Sequence, residues 1–361
     1  LCNDRDRHTQ VLWGVRDFQE RFGRDPEGMW LPETAVDIPT LEALAANGIR
    51  FTILEPHQAA RVRRIGDREW QELNGTTLDP TMPYLCNLPS GAKVALFFYD
   101  GPISRAIAFE HLLDRGENLY FRPKQAFDDR RRHPQLVHIA TDGESYGHHH
   151  RFGEMALAYA IKLIEADPSI ELINYGYFLE RHPPTHEVEI RERTAWSCAH
   201  GVGRWQEDCG CNTGGRPGWN QQWRRPLREA FDYLRDQLVP IYEEHAGRLL
   251  KDPWAARDAY IDVILARTPT RLQRFFDEHA SHRLSQEERT RALEALEMQR
   301  HAMLMYTSCG WFFDDISGIE TLQVMQYAAR AAQLAGRLTG ESDEEELLKR
   351  LEQARSNVPE M

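Results

Sequence analysis

The sequence predicts an α/β fold in which parallel strands alternate with helices, followed by an α-helical domain. Three observations carry this expectation. In the first half, short apolar runs are separated by segments whose apolar residues recur every three or four positions, the pattern of crossover units that set strands side by side and parallel. Those runs are apolar without alternation, as strands buried on both faces are. From about Pro226 onward such runs cease, and one amphipathic segment follows another.

The elements follow in order. Thr9 to Phe22 places Val11, Leu12, Val15, Phe18 and Phe22 on one stripe of a helix. Gly28–Leu31 reads as a buried strand. Pro39–Ala46 reads as a helix opened by proline and closed by Asn47-Gly48. Phe51–Leu54 and Val94–Tyr99 read as the next strands, with a helix from about Ser104 to Leu113 after them. Leu136–Ala140 is a fourth expected strand, Met155–Ala166 a helix, and Ile170–Ile173 a fifth strand. In the second half, Leu227–Leu238, Trp254–Ala266, Arg271–His279, Gln286–Met305, Thr321–Leu338 and Asp343–Ala354 all read as helices. The expected organisation is a strand-and-helix domain over 1–184, a loop region rich in Trp, Cys and Gly over 185–225, and a helical domain over 226–361.

Composition narrows the function. At roughly 150 residues per domain, 361 residues suggest two domains or one large barrel with an appendage. A formal net charge of -12 argues against a nucleic-acid partner, because phosphate binding needs a basic surface. Arginines cluster at Arg61–Arg64 and Arg130–Arg132, where a solvated surface is the simplest reading. No run reaches the roughly 20 apolar residues of a membrane helix, and no signal peptide opens the chain. The expectation is a cytoplasmic protein without a membrane partner, although a first residue other than Met leaves room for a fragment or a processed form.

Four of the apolar runs end in an acid: Met29-Trp-Leu-Pro-Glu33, Phe51-Thr-Ile-Leu-Glu55, Leu96-Phe-Phe-Tyr-Asp100 and His138-Ile-Ala-Thr-Asp142. If those runs are parallel strands, their C-terminal ends converge on one face, which in barrels carries the active site. An acid after a strand is otherwise a helix cap or a solvated loop residue. Cleaving a glycosidic bond needs two carboxyl groups on opposite sides of it, one ionised and one protonated. Carboxyls at the ends of separate strands can face each other in this way.

Gly28-Met-Trp-Leu-Pro-Glu33 and Asp142-Gly-Glu-Ser-Tyr-Gly147 resemble the two catalytic motifs of glycoside hydrolase family 57, the second having the form Asp-x-Glu-x-Phe-Gly. Asn174-Tyr-Gly-Tyr-Phe-Leu-Glu-Arg-His-Pro-Pro184 resembles the family's last barrel strand and loop. Trp196-Ser-Cys-Ala-His-Gly201 and Thr307-Ser-Cys-Gly-Trp-Phe312 extend the likeness to a less characterised branch. The resemblance implies an incomplete (β/α)7 barrel followed by a helical domain. It also implies retaining chemistry on α-glucan of amylase, glucanotransferase or branching type, with Glu33 as nucleophile, Asp142 as acid/base and no cofactor. Glu144, two residues on, competes with Asp142 for the acid role. The family's opening His-x-His-Gln-Pro-like strand has no counterpart here, so either N-terminal sequence is missing or the barrel lacks a strand. The His148-His-His150 run stands where the family often has an aromatic.

An oligo- or polysaccharide partner would meet Trp30, Glu55, His57, Asp100, Glu144, Tyr146 and His148 at this mouth. The loop Trp196 to Trp223 adds Trp196, Trp205, Trp219 and Trp223, and Trp311 lies further on. Indole faces stack on sugar C–H faces, but large aromatics also glue domains together. The same loop holds Cys198-x-His200 and Cys209-x-Cys211, a candidate structural zinc set; reduced buried thiols or a disulfide are the simpler readings. Two rival functions remain. One is a non-catalytic glycan-binding or scaffold protein. The other is a polysaccharide deacetylase-like metalloenzyme using His57, Asp100 and Asp142.

Overall fold

The computed structural model describes residues 3–74, 78–341 and 344–358; Cys2, the expected helix start at Asp343 and the last residues lie outside that range. The chain forms two compact units, Pro26–Trp196 and a second made of Leu1–Asp25 with Ser197–Met361. The first helix, expected with the strand-and-helix domain, groups with the C-terminal residues.

The Pro26–Trp196 unit is a mixed α/β fold built on a six-stranded sheet: β1 (Phe51–Leu54), β2 (Ala59–Arg64), β3 (Gln71–Glu72), β4 (Tyr84–Asn87), β5 (Lys93–Phe98) and β6 (His186–Ile190), in the order β1-β5-β4-β6-β2-β3. β1 and β5 are parallel, with Leu54 opposite Phe98. The sheet is not wholly parallel as expected: β4 runs antiparallel to β5, and β2 antiparallel to both β3 and β6. β2 and β6 hide from a search for apolar runs because charge pairs them. Arg61 Nε donates to Glu189 at 2.8 Å and Arg63 Nε to Glu187 at 2.5 Å, so Arg61–Arg64 is a cross-strand ion-pair ladder and more than a solvated cluster.

Three expected strands are absent from the described residues. Gly28–Leu31 makes one parallel bridge, Gly28 to Phe51, and then turns. Leu136–Ala140 is extended, but its backbone bonds reach loops and a side chain instead of a ladder: Leu136 N–H to Thr81 O, and Ala140 N–H to Ser104 Oγ. Ile170–Ile173 is not a strand, and Leu172 is 59 % exposed. The helices over Ile38–Ala46, Gly101–Phe109 and Gly153–Glu165 form near their expected positions, the first two capped by Asp37 and Asp100.

The second unit is helical in its described residues apart from one isolated bridge. Arg224–Gly247 buries Leu227, Phe231, Leu234 and Leu238 on one stripe against Gln286–Leu304 and Ile319–Thr339. Expected helix Trp254–Ala266 divides into Pro253–Ala259 and Ile261–Leu265. The helix Asp4–Phe22 joins this unit through a buried ion pair, Arg257 Nη1 to Asp6 at 2.6 Å. No described helix is long and apolar enough to cross a membrane.

Candidate active site

The segment before Glu33 travels with β1. Met29 N–H donates to Phe51 O at 3.2 Å and Thr52 Oγ1 to Met29 O at 2.8 Å. A hydrogen of Gly28 faces the Phe51 ring so closely that a Cβ there would lie 2.2 Å from a ring carbon. The chain then makes a single tight turn, Pro32–Thr34, in which Glu33 (φ 59°) and Thr34 (φ 50°) are both left-handed. Two such residues cost on the order of 1–3 kcal/mol each and persist only where neighbours over-determine them.

Gln58 supplies that constraint. It is fully buried: its Oε1 accepts from Thr34 Oγ1 (2.9 Å) and Glu55 N–H (2.8 Å), and its Nε2 donates to Thr34 O (2.8 Å) and Thr194 O (3.1 Å). Trp196 closes the turn from the other side. Its backbone N–H donates to Glu33 O and to Thr34 Oγ1, both at 3.0 Å. Its indole N–H donates to Glu33 Oε2 at 3.0 Å. The Trp196 ring meets Trp30 edge-on at 5.1 Å and Tyr99 at 6.1 Å, and Trp30 is 42 % exposed. One carboxylate is thus fixed among aromatic faces, two of which were expected there.

Glu55 and Asp100 leave the sheet at the same end, since β1 and β5 are parallel and in register at Leu54 and Phe98. Both acids have structural work. Glu55 accepts from His57 N–H at 3.0 Å and contacts His57 Nδ1, while Asp100 caps its helix by accepting from Ile103 N–H at 2.8 Å. Partial burial, and then Arg191, push the His57 imidazole below its usual value.

Asp142 is reached through the same region. Asp100 N–H donates to His138 O at 2.9 Å, and the chain then continues through Ala140 to the turn Gly143–Ser145 that Asp142 precedes, with Asp142, Gly143 and Glu144 exposed and Ser145 buried. The Asp142 carboxyl is held above the ordinary carboxylate range, first by desolvation and then by the Glu144 charge, with His149 opposing. Glu144 and His148 are exposed; Tyr146 OH pairs with Thr141 Oγ1 at 3.0 Å, and His150 Nε2 donates to Ala108 O at 2.9 Å.

Two expected sugar contacts are corrected. Trp205 and Trp311 belong to the second unit, are 8 % and 2 % exposed, and give their indole N–H groups to Ser308 O and Arg224 O. Their faces pack core and offer nothing to a ligand. The rival metal reading also loses its geometry. Among the described residues, the one group of three or more potential ligands close enough to share an ion is Cys198, His200, Cys209 and Cys211, in that second unit; His57, Asp100 and Asp142 form no such group.

Sequence reasoning missed the polar support. Thr34, Gln58 and Thr194 carry no chemistry, and the signal for them is weak: a buried amide just after Glu55-Pro56-His57. It also missed His138, whose Nε2 donates to Pro80 O (3.1 Å), leaving Nδ1 to accept from Tyr175 OH (3.0 Å). Burial pushes that imidazole down to about 4.

The mixed α/β unit thus brings Glu55 and Asp100 out at one end of the parallel pair β1 and β5, with Glu33 held by Trp196. The chain belongs to glycosyl hydrolase family 57, whose family model matches residues 1–191. A second model, described as a domain of unknown function (DUF3536), matches residues 219–361. No curated protein matches significantly. Among solved structures, an exo-type maltose-forming amylase from Pyrococcus sp. ST04 is similar over 97 % of this chain and 62 % of its own, at 15 % identity and a TM-score of 0.73. A branching enzyme of the family from Thermococcus kodakaraensis is similar over 98 % and 67 % (16 % identity, TM-score 0.56). One from Pyrococcus horikoshii is similar over 98 % and 66 % (18 % identity, TM-score 0.56). The chain thus spans 62 % of the length of the amylase, and at these identities the likeness is one of fold.

Proposed function

We propose that the protein is a retaining α-glucan-active enzyme of hydrolase, glucanotransferase or branching type, with its sheet forming the family's incomplete barrel. Glu33 attacks the anomeric carbon as the Asp142 carboxyl gives its proton to the departing glycosidic oxygen. Asp142 then takes a proton from water or an acceptor hydroxyl, which attacks the glycosyl–Glu33 bond and frees the carboxylate. Trp30 and Trp196 flank the sugar. The observation that carries the reading is the Glu33 turn: a left-handed carboxylate-bearing residue beside Thr34, which a buried amide holds, with an indole N–H aimed at the carboxylate oxygen. Strain kept at such cost marks functional positions. The raised Asp142 carboxyl suits a proton donor.

The test is product analysis on a panel of maltooligosaccharides and α-glucans, with wild type, Glu33→Gln and Asp142→Asn compared. The expected first product keeps the α configuration, and Glu33→Gln falls to background. A Glu33→Gln variant with wild-type rate would refute the assignment. Calorimetric binding of maltooligosaccharides without any product from the wild type would support the glycan-binding reading in its place.

A further inference from the structure

The second unit contains a set of groups the sugar chemistry does not use. Cys198, His200, Cys209 and Cys211 point their ligand atoms at one another, all within 4.8 Å. Cys198 Sγ lies 3.9 Å from Cys209 Sγ and 3.8 Å from Cys211 Sγ, and Cys211 Sγ lies 3.5 Å from His200 Nδ1. Those distances have a simple meaning. With metal–sulfur bonds of about 2.3 Å and metal–nitrogen bonds of about 2.0–2.1 Å, the edges of a tetrahedron are about 3.8 Å between sulfurs and about 3.6 Å between sulfur and nitrogen. A disulfide would instead bring one pair to about 2.05 Å and leave the third sulfur apart. Cys198 sits nearly equidistant from two partners, and the described cysteines are free thiols.

We propose that Cys198 Sγ, His200 Nδ1, Cys209 Sγ and Cys211 Sγ bind one structural zinc ion. The one-residue spacing of Cys209 and Cys211 is unusual for a zinc pair; Gly210, at φ 82°, supplies the left-handed bend between them. The surroundings agree in charge. Zinc with three thiolates and a neutral imidazole carries one net negative charge. The fully buried Arg224 guanidinium lies against it, with Nη1 3.9 Å from Cys209 Sγ and 2.9 Å from Cys211 O. Arg204, 5 % exposed, adds a backbone N–H 3.4 Å from Cys198 Sγ. Cations and N–H donors around the sulfurs are the outer shell a thiolate centre uses. All four positions of the tetrahedron are filled by protein, so the ion is closed to substrate. It fastens the loop that follows residue 197 to the start of the helix Arg224–Gly247, where Arg224 also holds Phe312 O and Phe313 O.

Elemental analysis and zinc-edge X-ray absorption of the intact 361-residue chain, produced with zinc in the medium, test this directly. The expected result is about one zinc per chain with three sulfurs and one nitrogen around it, and three thiols shielded from a thiol reagent until a chelator is added. Cys309→Ser should keep the metal, and Cys211→Ser should lose most of it. If Cys211→Ser does not fold, the wild-type spectrum decides alone. Wild-type protein without stoichiometric zinc, a first shell of different composition, or a disulfide among Cys198, Cys209 and Cys211 would overturn the proposal.

Discussion

The indole N–H of Trp196 donates a 3.0 Å hydrogen bond to Glu33 Oε2 across 163 positions of sequence. It fixes the direction of a carboxylate whose backbone the same residue also holds. Trp196→Phe keeps a ring beside Trp30 and Tyr99 but removes the donor. Turnover should fall about 10- to 100-fold, as a misaimed reacting group does, with KM changed little. Steady-state kinetics check this, and an unchanged kcat would mean that the bond does not position Glu33 for chemistry.

The strand-like approach to Glu33 depends on the absence of a side chain at residue 28. Gly28→Ala places a methyl 2.2 Å from a Phe51 ring carbon, so the ring or the backbone must move. Overpacking of this kind costs about 1–3 kcal/mol. Phe51→Leu in the same chain should recover part of that loss, a non-additivity that denaturant unfolding of the single and double variants would reveal.

The pH profile carries the Asp142–Glu144 relationship. A proton donor must be protonated, so loss of the Asp142 proton sets the alkaline limb of kcat/KM. Glu144 raises that carboxyl through its charge. Glu144→Gln removes the like charge, lowers the carboxyl, and should move the alkaline limb to lower pH while leaving the acid limb in place. A limb that stays fixed, or moves up, would contradict the pairing.

His138 links stability to acid. Its imidazole is held neutral down to about 4 in the folded protein, against about 6.5 in an unfolded chain. The unfolded state therefore binds the extra proton first as pH falls. The stabilising contribution is complete above about 6.5 and is lost progressively between about 6.5 and 4. His138→Asn, which can still donate to Pro80 O, should flatten that part of the stability curve measured by urea unfolding across pH.

The sequence exposed what is local and hid what is shared. Helices such as Gly101–Phe109 and Gln286–Leu304 announce themselves through apolar spacing, although the start of the first lies at the cap Asp100, ahead of the expected Ser104. β1 and β5 were legible as apolar runs, and so was Glu33 as an acid after one. Leu136–Ala140 has the same look, yet its partners are Thr81 and Ser104, which no spacing rule connects to it. β2 and β6 look charged because Arg63 and Glu187 complete each other across more than a hundred residues. A tryptophan reads alike whether it lies against a carboxylate, as Trp196 does, or in a core, as Trp311 does. Only the fold tells these apart.

The chain leaves the helical unit after Asp25 and returns to it at Ser197. Asp6 and its buried partner Arg257 are 251 positions apart. At about 5–20 residues per second, a ribosome needs on the order of ten to fifty seconds to make that stretch. For all that time the helix Asp4–Phe22, which buries Val11 and Val15, has no Pro253–Ala259 or Ile261–Leu265 to pack against. A lone helix of this length is marginal in water, so this helix, though made well before its partners, settles only once they have followed it.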